Sequence, residues 1–168
     1  MCDTISRRPF LKGAAAAALT VSVVGLTGCS DNGSQTAVVL GDYKVDVDIW
    51  KSTLRSDTKN GKTTGILLPV VYVTNLTGSV MELKLTTSVF KASASDGTEL
   101  KFDSSRQPVT LVQKVPVSIM PSFSTTESAV FQKLSSGELS LKLSVTLSGQ
   151  TAVYTMNFGN MTQTVEKV

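Results

Sequence analysis

The side chain with the most distinctive chemistry in this sequence is the thiol of Cys29, which closes the run Leu26-Thr27-Gly28-Cys29. A thiolate is a strong nucleophile, and the small residues before it leave the backbone open to a processing enzyme. Other reactive candidates fare worse. The 168 residues include no histidine, which excludes Ser-His-Asp and Cys-His machinery. Ser88-Val89-Phe90-Lys91 has the Ser-x-x-Lys spacing of a serine acylation site. It falls in a strand pattern, however, and Ser30-Asp31-Asn32 precedes it where that chemistry wants the triplet to follow. Asp46 and Asp48 stand two apart; a carboxylate pair of raised pKa in a cleft would suit a hydrolase, but alternation sets these two on a convex strand face. Asp57, Asp96, Glu99 and Asp103 lie near turns without the dense oxygen spacing of a calcium loop. Zinc, haem and iron–sulfur clusters need His or Cys ligands, so no metal and no cofactor are expected, and no catalytic residue is assigned.

Trp50 is the single tryptophan. Strict alternation groups it with Lys44, Asp46 and Asp48 on a polar face, where it would anchor a protein or carbohydrate partner. Alternatively it passes a bulge and turns inward, as core tryptophans of sandwiches do. The inward placement is the expectation.

The N-terminal stretch explains what Cys29 is for. Ser6-Arg7-Arg8-Pro9-Phe10-Leu11-Lys12 resembles the twin-arginine export motif, with Arg7, Arg8, Phe10 and Leu11 at its fixed positions. A mildly apolar run follows from Ala14 to Leu26; as a helix it reaches roughly 20 Å, short of a hydrocarbon core of about 30 Å. That is a signal peptide rather than a membrane span. Leu26-Thr27-Gly28-Cys29 in turn resembles the bacterial lipobox. The resemblance implies removal of residues 1–28, a diacylglyceryl group on the Cys29 sulfur, and a protein held on the outer face of the cell membrane. Two acyl chains, at about 0.8 kcal/mol per buried methylene, anchor stably where one does not.

What remains after position 28 is 140 of the 168 residues, enough for one core. The signal takes Arg7, Arg8, Lys12 and Asp3 from totals of 16 basic and 13 acidic residues, so 13 and 12 remain and the net charge is +1. No polybasic block is left to suggest nucleic acid or anionic lipid as a partner. Cys2 leaves with the signal and Cys29 carries the lipid, so hydrophobic burial alone holds the domain. A β-rich chain without disulfides gains from folding before it meets the membrane, which gives a physical reason for the twin-arginine route.

Residues 29–37 read as a flexible tether and 38–168 as the folded domain. Tyr43, Val45, Val47 and Ile49 alternate with polar residues as in a half-buried strand. Lys51 to Gly65 is polar around Asn60-Gly61, a hairpin turn or a loop. Ile66 to Asn75 reads as a central strand interrupted by Pro69, and Pro116 interrupts a later one. Asp96-Gly97 is the strongest hairpin signal. Leu139, Leu141, Leu143, Val145 and Leu147 form a long strand that turns at Ser148-Gly149-Gln150 into a second. No helix is expected beyond the signal. Seven to nine antiparallel strands indicate an all-β, immunoglobulin-like β-sandwich.

"GDYKVDV", "VVYVTNLTGSVMEL", "SVFKASASDGTELKF" and "TTESAVFQKL" followed by "LKLSV" resemble the telokin-like, immunoglobulin-type domains of bacterial lipoproteins. Those domains carry a Val-x-Val-x-Asn strand end, an Asp-Gly hairpin and a Phe-containing strand after a polar turn. The resemblance implies an extracytoplasmic interaction domain. The expectation for function is a non-catalytic module binding a protein or envelope polymer; the alternative is an accessory factor for assembly of other exported proteins.

Overall fold

The computed structural model describes residues 36–103 and 107–168. Arg7, Arg8, Phe10 and Leu11 of the export motif, and Leu26, Thr27, Gly28 and Cys29 of the lipobox, lie outside those residues. In chain order the elements are β1 (Val38–Leu40), β2 (Tyr43–Lys59), β3 (Lys62–Asn75), β4 (Met81–Leu83), β5 (Phe90–Ala94), β6 (Glu99–Phe102) and β7 (Val109–Leu111). There follow β8 (Pro116–Ile119), β9 (Phe123–Thr125), α1 (Ser128–Ser136), β10 (Leu141–Leu147), β11 (Gln150–Asn157) and β12 (Thr162–Lys167).

Strict alternation becomes strand, and its apolar face becomes core. Tyr43, Val45, Val47 and Ile49 of β2 are buried, as are Leu141, Leu143, Val145 and Leu147 of β10. A ten-stranded sheet takes the order β1-β2-β3-β9-β6-β5-β10-β11-β12, with β8 pairing to β3 off that path, while β4 and β7 make a two-stranded ribbon. The strands pair antiparallel throughout. The sheet folds over so that its two ends face each other. The buried Tyr154 hydroxyl of β11 donates to the Val45 carbonyl of β2 at 3.0 Å, and Gln163 of β12 meets Val47 and Ile49. The domain is thus an all-β antiparallel sandwich, with β6 joining its layers.

The hairpins expected at Asp96-Gly97 and Ser148-Gly149 are present. Gly97 has φ 95°, and Ser148 and Gly149 have φ 49° and 72°, the twin positive values of a type I′ turn. Both prolines find places where no ladder hydrogen is needed: Pro116 opens β8, and Pro69 faces a bulge described below. Asn75 ends the Val71-x-Val73-x-Asn75 strand fully buried. Its amide donates to the Ser79 and Leu111 carbonyls while its oxygen accepts from Thr77, so its burial is compensated.

Twelve strands are present among the described residues; β1, β4, β7 and β9 are only three residues long, and β9 falls in a stretch that reads as a turn. Two expectations need correction. The Phe-containing segment Ala129 to Leu134 is helical, not a strand. Its Val130 and Leu134 lie one helical turn apart and are both buried, and Gly137 ends the helix at φ 83°. The tether also stops earlier than position 37, since the Thr36 hydroxyl donates to Asp46 at 2.8 Å and accepts from Gln163 at 2.6 Å.

The helix is seated by a glycine. A Cβ on Gly65 of β3 would overlap the Phe131 ring, with Cγ only 2.7 Å away. The Phe131 side chain of α1 therefore packs directly on the backbone of β3 at Gly65.

Candidate functional site

The β2–β3 hairpin outgrows the sheet it belongs to. The two strands pair from Tyr43–Asn75 out to Lys59–Lys62, but β3 gains a second neighbour only at β8, over Val71–Thr74, and at β9, over Gly65–Leu67. Past Gly65 the ribbon continues alone as an arm, and Arg55 to Thr63 are exposed. Asn60 and Gly61 close it at φ 53° and 74°, a second type I′ turn, with Thr58 and Thr63 hydroxyls 3.1 Å apart on the rung below. Of the two readings of this segment, hairpin or loop, it is the hairpin.

Directly opposed residues of an antiparallel pair share a face. The pairs Arg55–Ile66, Asp57–Thr64 and Lys59–Lys62 therefore gather Arg55, Asp57, Lys59 and Lys62 on one side of the arm. Among the described residues the ion pairs are Lys51–Asp48 and Lys101–Asp103. None of the arm's three cations takes part.

At the root of the arm, register shifts between Asp48, opposite Val70, and Thr53, opposite Leu68. Residues 49–52 thus bulge against Pro69, which has no N–H to give. Ser52 replaces the missing rung: its hydroxyl accepts from the Val70 N–H at 3.0 Å and donates to the Asp48 carbonyl at 2.7 Å. The bulge expected to turn Trp50 inward is present, but it turns the ring outward, and Trp50 is 74% exposed. Inward burial is therefore the corrected expectation, and the anchor alternative fits the geometry. Beside it, Lys51 Nζ lies 3.2 Å from Asp48, donates to the Tyr72 hydroxyl at 2.9 Å, and sits 5.3 Å from that ring's centre. Hydrogen bonds to Tyr72 and then Asp48 hold the Lys51 ammonium above its usual range.

The two carboxylates have separate occupations. Asp46 accepts from Thr36 and the Val47 N–H, whereas Asp48 accepts from the Lys51 N–H and pairs with its ammonium. Asp96 caps its own turn through the Thr98 N–H, which lowers its pKa, and Asp103 pairs with Lys101. No three of His, Cys, Asp and Glu come together as a metal set among the described residues. Ser88 lies in a turn, its hydroxyl 2.7 Å from Thr86, and Lys91 projects from β5, so the Ser-x-x-Lys string is not on a helix.

A shallow groove of about 470 Å³ crosses the outer face of β6, β5 and β10; its polar lining includes Lys91, Ser93, Glu99, Lys101, Lys142 and Ser144. Asp46 and Asp48 are not part of it.

Fold and site together define an all-β antiparallel domain with a projecting basic hairpin. No family model matches this chain, and no curated protein does. Among solved structures it is similar to that of a candidate lipoprotein (ycdA) from Bacillus subtilis subsp. subtilis str. 168, with 16% identity and a TM-score of 0.42. That match covers 81% of this chain, which spans 39% of the other. A likeness at that level bears on neither fold nor function.

Proposed function

We propose that this chain is a lipoprotein exported by the twin-arginine route and held outside the cytoplasm by a diacylglyceryl group on Cys29. Its sandwich serves there as a non-catalytic binding module for a protein or envelope polymer. The address rests on the two motifs, in order, on either side of the apolar run. The binding role rests on one observation: Trp50 stands 74% exposed at the root of the arm. An exposed tryptophan fixed on a strand is a large, rigid contact that loses little entropy on binding.

The strand edge beside it adds a second means of attachment. β1 covers β2 only as far as Val45, and Gln163 satisfies Val47 and Ile49. From Trp50 outward, β2 has no outer strand neighbour among the described residues, so an extended segment of a partner can add to it. The same open edge suits the second reading, an accessory factor that holds strands of other exported proteins during assembly.

Metabolic lipid labelling tests the anchor: Cys29→Ala should give an unlabelled, uncleaved precursor, and normal labelling of that variant contradicts the proposal. Replacing Arg7 and Arg8 by lysine should abolish export; unimpaired export points to the general secretory route. For binding, the mature protein should retain a stoichiometric partner that Trp50→Ala loses. Equal retention by both proteins removes Trp50 from the site.

A further inference from the structure

Lys59 and Lys62 are directly opposed in the last pair of the arm. Like charges in that position repel across the ribbon, and no carboxylate pairs with either among the described residues. Arg55 lies two strand positions further back on the same face, beyond Asp57. A net charge of +1 for the mature chain conceals this concentration at one end of the molecule.

The described chain enters the domain from the arm's side. β1 runs antiparallel to β2, with Val38 opposite Val45 and Leu40 opposite Tyr43. Followed backward from Leu40 to Thr36, the chain therefore travels in the direction in which β2 runs out to the arm, and Thr36 is bonded to Asp46. Thr36 stands seven positions after Cys29; fully extended, that stretch spans at most ~25 Å. On β3, Lys62 stands nine positions from Val71, the partner of Val47, so the tip extends about 30 Å past the level of Thr36. The tip therefore lies at least as far out on that side as Cys29 can reach.

From this placement we infer that the arm's cationic end, Lys59 and Lys62 at the tip with Arg55 about 13 Å behind them on the same face, docks on the anionic headgroups of the membrane that holds the lipid. The inference depends on the lipid-anchor reading. Anionic headgroups relieve the Lys59–Lys62 repulsion, and a second contact on an anchored domain is intramolecular, so modest attraction suffices. It fixes the domain's orientation and leaves Trp50, at the root of the arm, for a partner.

The test uses the mature lipidated protein in phosphatidylcholine vesicles with and without phosphatidylglycerol, with hydrogen–deuterium exchange read at the amides of residues 55–64. Flotation with the pure phosphatidylcholine vesicles reports the anchor separately. If flotation fails there, coupling Cys29 to a maleimide lipid supplies the same anchor point, and the arm is still tested.

Slower exchange of the arm in the anionic vesicles, lost at high salt and lost in R55Q/K59Q/K62Q, is the expected result. Each cation near an anionic surface contributes on the order of fivefold, and with Asp57 offsetting Arg55 on the same face the net effect is on the order of 25-fold on the docked fraction. The control K91Q/K142Q, on the outer face of β5 and β10, should keep the protection. Lys62→Glu separates docking from a structural role: it should steady the free arm by removing the like-charge pair, yet abolish protection on vesicles. Equal exchange in both vesicle types overturns the inference, as does protection that survives R55Q/K59Q/K62Q. Protection by soluble polyphosphate but not by anionic vesicles would reassign the tip to an anionic polymer.

Discussion

Two hairpins of this domain share local chemistry and differ in almost everything else. β2–β3 turns at Asn60-Gly61 and β10–β11 at Ser148-Gly149, all four residues with positive φ. Each has a threonine pair on the rung below, Thr58–Thr63 at 3.1 Å and Thr146–Thr151 at 2.9 Å. The closing pairs diverge: Leu147 opposes Gln150 in one, Lys59 opposes Lys62 in the other. Every second residue of β10 is buried, whereas Arg55 to Thr63 are all exposed. Turn chemistry fixes the shape of a hairpin, and the pattern of its strands fixes whether it becomes core or projects into solvent.

The largest effect is expected on the buried side. Leu143→Ala should cost about 3 kcal/mol, by transfer and cavity terms together, whereas Thr58→Ala on the arm should cost less than about 0.5 kcal/mol. Urea unfolding measures both, and equal losses would mean that the arm is packed. Gly65→Ala tests the junction between the regions. The added methyl meets the Phe131 ring, and overpacking of this kind costs roughly 2 kcal/mol. A neutral result would show that α1 does not press on β3.

Tyr154→Phe should cost about 1 kcal/mol at neutral pH, because the Val45 carbonyl loses its donor. Burial, and then the Asp46 charge, raise the Tyr154 pKa well above the ordinary tyrosine range. Its contribution is complete below about pH 10 and is lost as the pH rises further, since the unfolded chain ionises first. The wild-type protein should therefore lose stability on the alkaline side, and Tyr154→Phe should flatten that decline. An unchanged alkaline slope would assign the loss to other groups. The smallest effect is at the tip, where Lys62→Glu should gain a few tenths of a kcal/mol by turning a like-charge pair into an opposite one. Tip amide exchange in the free protein detects it, and faster exchange would contradict the assigned register.

Alternation made the all-β class legible, and the core faces of β2 and β10 follow the sequence residue by residue. Helix α1 did not show itself because nine residues offer a single buried i, i+4 pair, and Ala129-Val130-Phe131 reads equally well as strand. The arm was partly visible: Thr53, Arg55, Asp57 and Lys59 keep the strand period up to an Asn-Gly turn, but polar residues on both faces gave no apolar stripe to signal it. Trp50 shows a different limit. Pro69 announces a bulge, yet which way the bulged residues turn depends on Ser52 and Asp48 hydrogen bonds that no periodicity encodes. The opposition of Lys59 and Lys62, and the entry of the chain on the arm's side, follow from pairing register and strand direction rather than from composition.

If Trp50 is the residue that meets a partner, contact is made there and not on the opposite layer. Placing a photo-reactive phenylalanine derivative at position 50 or at Thr164, exposed on β12, and irradiating intact cells tests it directly. A discrete adduct from position 50 and none from 164 is the expected outcome. Adducts from 164 alone, or none from 50 with the protein correctly exported, would contradict it.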